Sequence, residues 1–304
     1  MATVAILGPG GVGGFLAAAL AHAGEPITVI AREPTAEQLA GRSIVLSSVR
    51  LGEITVTVPA QTGLEQPVDV LFLATKATGL AAALERIHAA PGLVVPLLNG
   101  LDHLPRLRER FSRVCAATIR IESSSPEPGR VIHTSPFLRI DLAADDPGLA
   151  AQLPEIARLL EHARVPARIE RSEAQAMWSK LVRLNALALT TSASDRQIGF
   201  IRSDPQWRPR LEAAIDEGTT VARAEGADLD AGMPLRELLE AHEGLGSSMQ
   251  RDIAAGRTPE LDAIAGSVLR AGARHGIELP AVTRLASEVA ARAGIEPPRG
   301  PSQK

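Results

Sequence analysis

Thr3-Val-Ala-Ile-Leu-Gly8-Pro-Gly10-Gly-Val-Gly13-Gly, the small-residue run that follows it to Ala23, then Gly24 and the β-branched Ile27-Thr-Val-Ile30, decide the fold. Val4 to Leu7 reads as a buried strand, Val12 to Ala23 as a helix and Ile27 to Ile30 as a second strand. That is the length a βαβ dinucleotide unit needs. Each fingerprint glycine has a mechanical reason. Gly8 allows the tight turn, Gly10 lets the backbone approach a pyrophosphate, and Gly13 lets helix and strand pack closely. The helix N-terminus offers unpaired N–H groups to the phosphates, so Gly8, Pro9, Gly10, Gly11, Val12 and Gly13 are the expected phosphate-binding turn. A glycine-rich turn alone is common; the strand before it and the helix after it give this one its meaning.

The rest of the chain limits the function classes. At 304 residues it is long enough for two domains. A net charge of −3, two Trp and no Tyr give no basic, aromatic surface for nucleic acid. One cysteine, Cys115, excludes a disulfide framework, and its apolar surroundings read as buried filler rather than a nucleophile. No basic segment precedes the first apolar run, and none reaches the ~18 residues of a membrane span. A soluble cytoplasmic protein is expected.

Up to about residue 170, apolar strands alternate with helices. Strands are expected at 43–49, 52–58, 68–74, 92–98, 113–121, 130–134, 137–143 and 165–169, with helices at 34–41, 77–88, 101–111 and 148–163. Continuous apolar strands separated by helices argue for a parallel sheet covered on both faces. Ser172-Glu-Ala-Gln175 is a capping-box pattern, and helical periodicity dominates afterwards, at 173–192, 204–226, 234–242, 246–255, 259–276 and 279–294. The expected organisation is a Rossmann-type α/β domain over 1–170, an all-α substrate domain over 171–295, and a disordered tail over 296–304.

In open α/β sheets ligands bind beyond the carboxyl ends of the strands. Arg32, Lys76 and Asn99 stand at three such ends. A cation at Arg32 favours the 2′-phosphate of NADP, whereas Glu33 beside it keeps NAD open. Read alone, Lys76 is a loop cation and Asn99-Gly100 a turn dipeptide. Lys180 would ordinarily be an exposed cation on its helix. Glu260, after Pro259, would be a first-turn carboxylate, and Ser247 and Ser248 helix caps.

Gly8-Pro-Gly-Gly-Val-Gly13, Arg32, Thr75-Lys76-Ala77, Leu98-Asn99-Gly100, Trp178-Ser-Lys-Leu181, Ser247-Ser-Met-Gln-Arg-Asp252 and Glu260-Leu-Asp262 stand in one order across the chain. In that order and spacing the sequence resembles the ketopantoate reductase family, the NADPH-dependent 2-dehydropantoate 2-reductases of pantothenate biosynthesis. The resemblance implies a Rossmann-type domain followed by a helical domain like that of 6-phosphogluconate dehydrogenase, with the active site in the cleft. It implies NADP(H) as cofactor, a small 2-keto acid as substrate, and neither nucleic acid, membrane nor metal. A homodimer is kept as a candidate assembly. By resemblance, Lys180 protonates the forming alkoxide, Glu260 orients it and contacts substrate, and Ser248 helps hold the carboxylate. Asn99 then lies by nicotinamide and substrate, and Lys76 adds positive charge.

One departure bears on substrate. Family members usually carry asparagines four and eight places after the lysine and just before the glycine at 199; here Leu184, Ala188 and Ile198 stand there, with Asn185 one place out of register. The leading expectation is reduction of ketopantoate. The alternatives are a reductase or dehydrogenase of another branched or apolar 2-keto acid, and a non-catalytic NADP-binding sensor. Retention of Lys180 and Glu260 argues against a sensor. Related dehydrogenases acting on 6-phosphogluconate or hydroxyacyl-CoA share the architecture but do not account for the Ser248/Glu260 pair.

Overall fold

The computed structural model describes residues 2–298; the expected tail at 296–304 thus lies mostly outside the described residues. The described residues form two compact units, one of residues 2–98 and 103–176, the other of Asn99–Asp102 and residues 177–298.

In the first unit, β1 (Val4–Leu7), β2 (Ile27–Ile30), β5 (Ala60–Gln61), β6 (Val70–Leu73) and β7 (Leu93–Pro96) form a parallel sheet in the order β5-β2-β1-β6-β7. Val4 pairs with Ile27 on one side and Val70 on the other, so β1 lies at the centre and its glycine turn at the strands' carboxyl end. Helix α1 (Gly11–His22) is buried along its whole length from Gly13 to Leu20. It packs on the parallel sheet and also on a second, mixed sheet of β4 (Gly52–Thr57), β3 (Ser43–Ser48), β10 (Arg130–His133) and β9 (Ser123–Glu127). A helix covered on both sides must be apolar all round, which is why its sequence is Phe15, Leu16, Leu20 and alanines.

The strands beyond β7 therefore do not extend one parallel sheet. They supply β9 and β10 of the mixed sheet and a third sheet of β12 (Ala167–Ile169), β11 (Arg139–Ala143) and β8 (Ala116–Arg120). Helices α2 (Glu33–Leu39), α4 (His103–Arg108), α5 (Pro147–Ala150) and α6 (Leu153–His162) complete the unit with α3 (Leu80–Leu84). The helix expected at 77–88 is reduced to a 3-10 turn, Ala77–Gly79, and α3, because Ile87 is drawn into a bridge with Leu64. The helix expected at 148–163 is split, since Pro154 has no N–H for the carbonyl four residues back.

The second unit holds most of α7 (Glu173–Ser194), then α8 (Ile198–Ser203), α9 (Trp207–Ala224), α10 (Gly232–Leu239), α11 (Ser248–Ala254), a π-helical turn (Asp262–Gly266), α12 (Ser267–Arg274) and α13 (Pro280–Ala293). Ser172 caps α7 as its motif predicts, accepting from the Gln175 amide at 3.1 Å. Helix α8 has no counterpart in the periodicity. It is short and contains Gly199, and it ends where Asp204, extended before Pro205, turns to cap α9. Among the described residues no helix is long and apolar enough to cross a membrane.

The mixed sheet encloses a polar chain. Ser48 Oγ lies 2.8 Å from His133 Nδ1, His133 Nε2 lies 3.1 Å from Ser135 Oγ, and Ser135 Oγ donates to the Phe137 carbonyl at 2.7 Å. Ser48 accepts from the amides of Arg50 and Leu51, so its proton is free for Nδ1, and Nε2 carries the ring hydrogen. The neutral ring is fully satisfied, and burial holds its pKa below the usual histidine value. In the unfolded chain the same ring takes a proton near pH ~6.5. Below that pH the unfolded state binds more protons, so this contribution to stability is complete above it and is lost as pH falls. Urea unfolding at about pH 7 and pH 5 should show a larger loss for the native chain than for His133→Gln, whose amide does not titrate. Parallel losses would contradict the neutral-ring assignment.

Candidate active site

Gly8 follows β1 with φ +94°, a conformation that disfavours a side chain. A Cβ at Gly13 would lie 2.1 Å from the Gly8 carbonyl oxygen, so strand and helix meet there in direct backbone contact. A Cβ at Gly10 would meet nothing within 4 Å, and no side chain caps the first turn of α1. The turn is thus closed at Gly8 and Gly13 and open at Gly10. Gly11 has a role its motif does not reveal. Its Cβ would fall 2.4 Å from the Ser123 carbonyl oxygen, and Ser123 Oγ donates to the Gly11 carbonyl at 2.8 Å, so β9 is laid across the glycine turn.

Arg32 lies two residues past β2 at the N-cap position of α2, exposed, with exposed Glu33 in the first turn behind it. Lys76 is exposed at the start of the 3-10 turn after β6. Cys115 is fully buried, and burial pushes its thiol up to about 12, which leaves no nucleophile there.

Asn99 follows β7 in sequence, yet Asn99–Asp102 belongs to the second unit. There it joins Lys180 and Glu260. Met177, Trp178 and Leu181 are buried and fix the rotation of α7, leaving Lys180 on the partly exposed side. Lys180 Nζ donates to Asn99 Oδ1 at 2.7 Å, and Asn99 Nδ2 donates to Glu260 Oε2 at 3.1 Å. Glu260 is only 8% exposed and precedes the helical segment instead of sitting in its first turn. A Cβ at Gly100, where φ is +85°, would fall 1.9 Å from the Ala263 carbonyl oxygen. The Asn99 segment therefore lies directly on the turn that follows Glu260.

The serine pair divides its work. Ser247 is buried and caps α11, accepting from the Gln250 amide at 3.0 Å and from Thr191 Oγ1 at 2.9 Å. Ser248, the first residue of α11, is exposed and makes no hydrogen bond to the Asn99 group. Thr191 is eleven residues after Lys180, about three turns along the same helix face. That face carries Leu184, partly buried, and Leu187, buried, between the two. Ala188 and Ile198 are buried. Asn185 points about 140° away from Lys180; it is fully buried, and neither of its amide atoms has a hydrogen-bond partner. It does not restore the missing family asparagines on the Lys180 face.

No group of three or more His, Cys, Asp or Glu suited to a metal ion occurs among the described residues. Models of the ketopantoate reductase PanE/ApbA family and of its C-terminal part match residues 4–144 and 174–293. The 2-dehydropantoate 2-reductase of Mycobacterium tuberculosis (strain H37Rv) is 32% identical over 293 residues, covering 92% of this chain and 94% of that protein. The structure of 2-dehydropantoate 2-reductase from Geobacter metallireducens GS-15 is similar with a TM-score of 0.88 at 25% identity, covering 95% of this chain and 99% of that one. D-mandelate dehydrogenase with NADH and anilino(oxo)acetate matches with a TM-score of 0.87 over 96% and 98% of the two chains, a likeness of fold at 20% identity. A Rossmann-type sheet, an all-helical unit and these relatives define an oxidoreductase. The chain belongs to the ketopantoate reductase family.

Proposed function

We propose that the protein is an NADPH-dependent reductase of a 2-keto acid, with ketopantoate as the reference substrate. The observation that carries this reading is the Lys180–Asn99–Glu260 array. Adding hydride to a 2-keto acid places negative charge on the former carbonyl oxygen. A positioned ammonium both stabilises that charge and supplies the proton. Lys180 fills this role as general acid. Asn99 holds Nζ in place through its amide oxygen, and Glu260 keeps the local charge favourable to a protonated lysine. Ser248 is assigned to the substrate carboxylate.

The glycine turn fits a dinucleotide because it is open at Gly10 and uncapped at α1. Gly8 to Gly13 would hold the pyrophosphate, Arg32 the 2′-phosphate, and Lys76 and Asn99 the nicotinamide end. When bound, the cofactor supplies the hydride. Arg32 makes no ion pair among the described residues, so its charge is available to a phosphate. A charge-assisted contact contributes about 1.5–3 kcal/mol. Arg32→Ala should therefore weaken NADPH binding about ten- to a hundredfold and leave NADH nearly unchanged, as read by fluorescence titration. Equal affinity of the native protein for both cofactors would overturn the NADP assignment.

A second reading, a preference for more apolar 2-keto acids, is favoured by Leu184 and Leu187 on the Lys180 face. A pocket that hydrogen-bonds a substrate hydroxyl can reject the analogue lacking it by about 10⁴-fold or more, whereas hydrocarbon discriminates weakly. NADPH oxidation should be measured with a panel including ketopantoate and 2-ketoisovalerate, for the native chain and Lys180→Ala. The native enzyme should separate the two substrates by less than about 10⁴ in kcat/KM. Lys180→Ala should lose about 10²–10⁴ in kcat and keep cofactor binding. No turnover of any 2-keto acid, or normal turnover by folded Lys180→Ala, would contradict the proposal.

A further inference from the structure

Asn99 serves two partners, so the segment that carries it must be held against the turn that carries Glu260. One side chain does this. Arg270, on α12, sends Nη2 to Asp102 Oδ2 at 2.6 Å and Nη1 to Asp262 Oδ1 at 2.8 Å, and Nη2 also donates to the Asp262 carbonyl at 3.1 Å. Asp102 is three residues past Asn99, and Asp262, two past Glu260, opens the π-helical turn. The Arg270 side chain is 25% exposed, well covered for a cation. Gly266 keeps the space open, since a Cβ there would fall 2.4 Å from Asp262 Oδ1 and 2.9 Å from Arg270 Nη1. π-Helical turns recur at functional sites because they re-aim a few side chains locally.

We infer that Arg270 is a positioning residue: its planar fork clamps Asp102 to Asp262 and so fixes the Asn99 amide between Lys180 and Glu260. Single exposed ion pairs contribute little. A guanidinium joining two carboxylates and a carbonyl sets geometry in a way a lysine ammonium does not. The inference rests on the reading of Lys180 as proton donor. Arg270 does not touch substrate; its loss lets Asn99 drift. Misplacing a catalytic group by a fraction of an ångström to one ångström costs up to about 10²-fold in rate.

The test compares Arg270→Ala, Asp102→Asn, Gly266→Ala, the Arg270→Ala/Asp102→Asn double variant and Arg274→Ala, a control on the same helix whose partner is Glu225. Each is assayed across the alkaline limb of the kcat–pH profile and by hydrogen–deuterium exchange. Arg270→Ala and Asp102→Asn should each lower kcat by about 10- to 100-fold, with NADPH affinity within about threefold of the native value. The alkaline limb should move to lower pH, because Lys180 loses the acceptor and carboxylate that favour its charged form. The double variant should be no worse than Arg270→Ala, and exchange should quicken in 99–104 and 260–266. Arg274→Ala should match the native chain. A kcat within about twofold of native, additive losses or an unmoved limb would overturn the inference. If Arg270→Ala does not fold, Asp102→Asn and Gly266→Ala decide by the same readouts. If the native chain reduces no 2-keto acid, the functional reading fails, and exchange alone decides the clamp: unchanged exchange in both segments refutes it.

Discussion

The amide of Asn99 is the interaction on which the candidate site depends. Its oxygen accepts from the Lys180 ammonium and its nitrogen donates to the Glu260 carboxylate, at 2.7 and 3.1 Å. A planar amide is neutral and presents an acceptor and a donor at fixed spacing. It can therefore link a cation and an anion without choosing between them. An aspartate there would set a second negative charge against Glu260, and a hydrocarbon would strip the hydrogen bond from both charges. The nearby backbone answers to this requirement. Gly100 has no side chain because one would strike the Ala263 carbonyl, and the π-helical turn begins two residues after Glu260.

The first unit obeys a different constraint, steric rather than electrostatic. Helix α1 is covered by the parallel sheet and by the mixed sheet, so its residues must be small and apolar and its start must admit β9. The four glycines at 8, 11, 13 and 14 are all places where a methyl group would meet another part of the chain within 3 Å. Gly10 is the exception, since a Cβ there would meet nothing within 4 Å. Density around one turn and space at one residue are the physical content of a dinucleotide fingerprint.

How much of this was legible in the sequence follows from the range of each interaction. The βαβ unit is local: period, glycine spacing and β-branching all fall within about thirty residues, and the sequence places it correctly. The Ser172 cap was legible for the same reason. The mixed sheet was not, because β3 pairs with β10 over some eighty residues and neither strand's pattern names its partner. Lys180, Asn99 and Glu260 read as a surface cation, a loop turn and a first-turn acid when taken singly; only the family resemblance grouped them, and the fold explains the grouping. Arg270 and Asp102 were missed altogether, being an ordinary helix cation and an ordinary acid at the start of an expected helix until the chain brings them together. Asn185 shows the opposite limit. It stands one place out of register in the sequence, and the 100° step per residue turns it off the Lys180 face, as that offset implies.

A neutral, two-ended amide at position 99 joins Lys180 and Glu260 in the candidate site. The most direct measurement is kcat for Asn99→Asp with the preferred 2-keto acid at neutral pH, where shape is kept and the donor alone is replaced by charge. The expected result is a folded, cofactor-binding protein with kcat lowered by about 10²-fold or more, approaching the loss in Lys180→Ala. A kcat for Asn99→Asp within about twofold of the native value would contradict it.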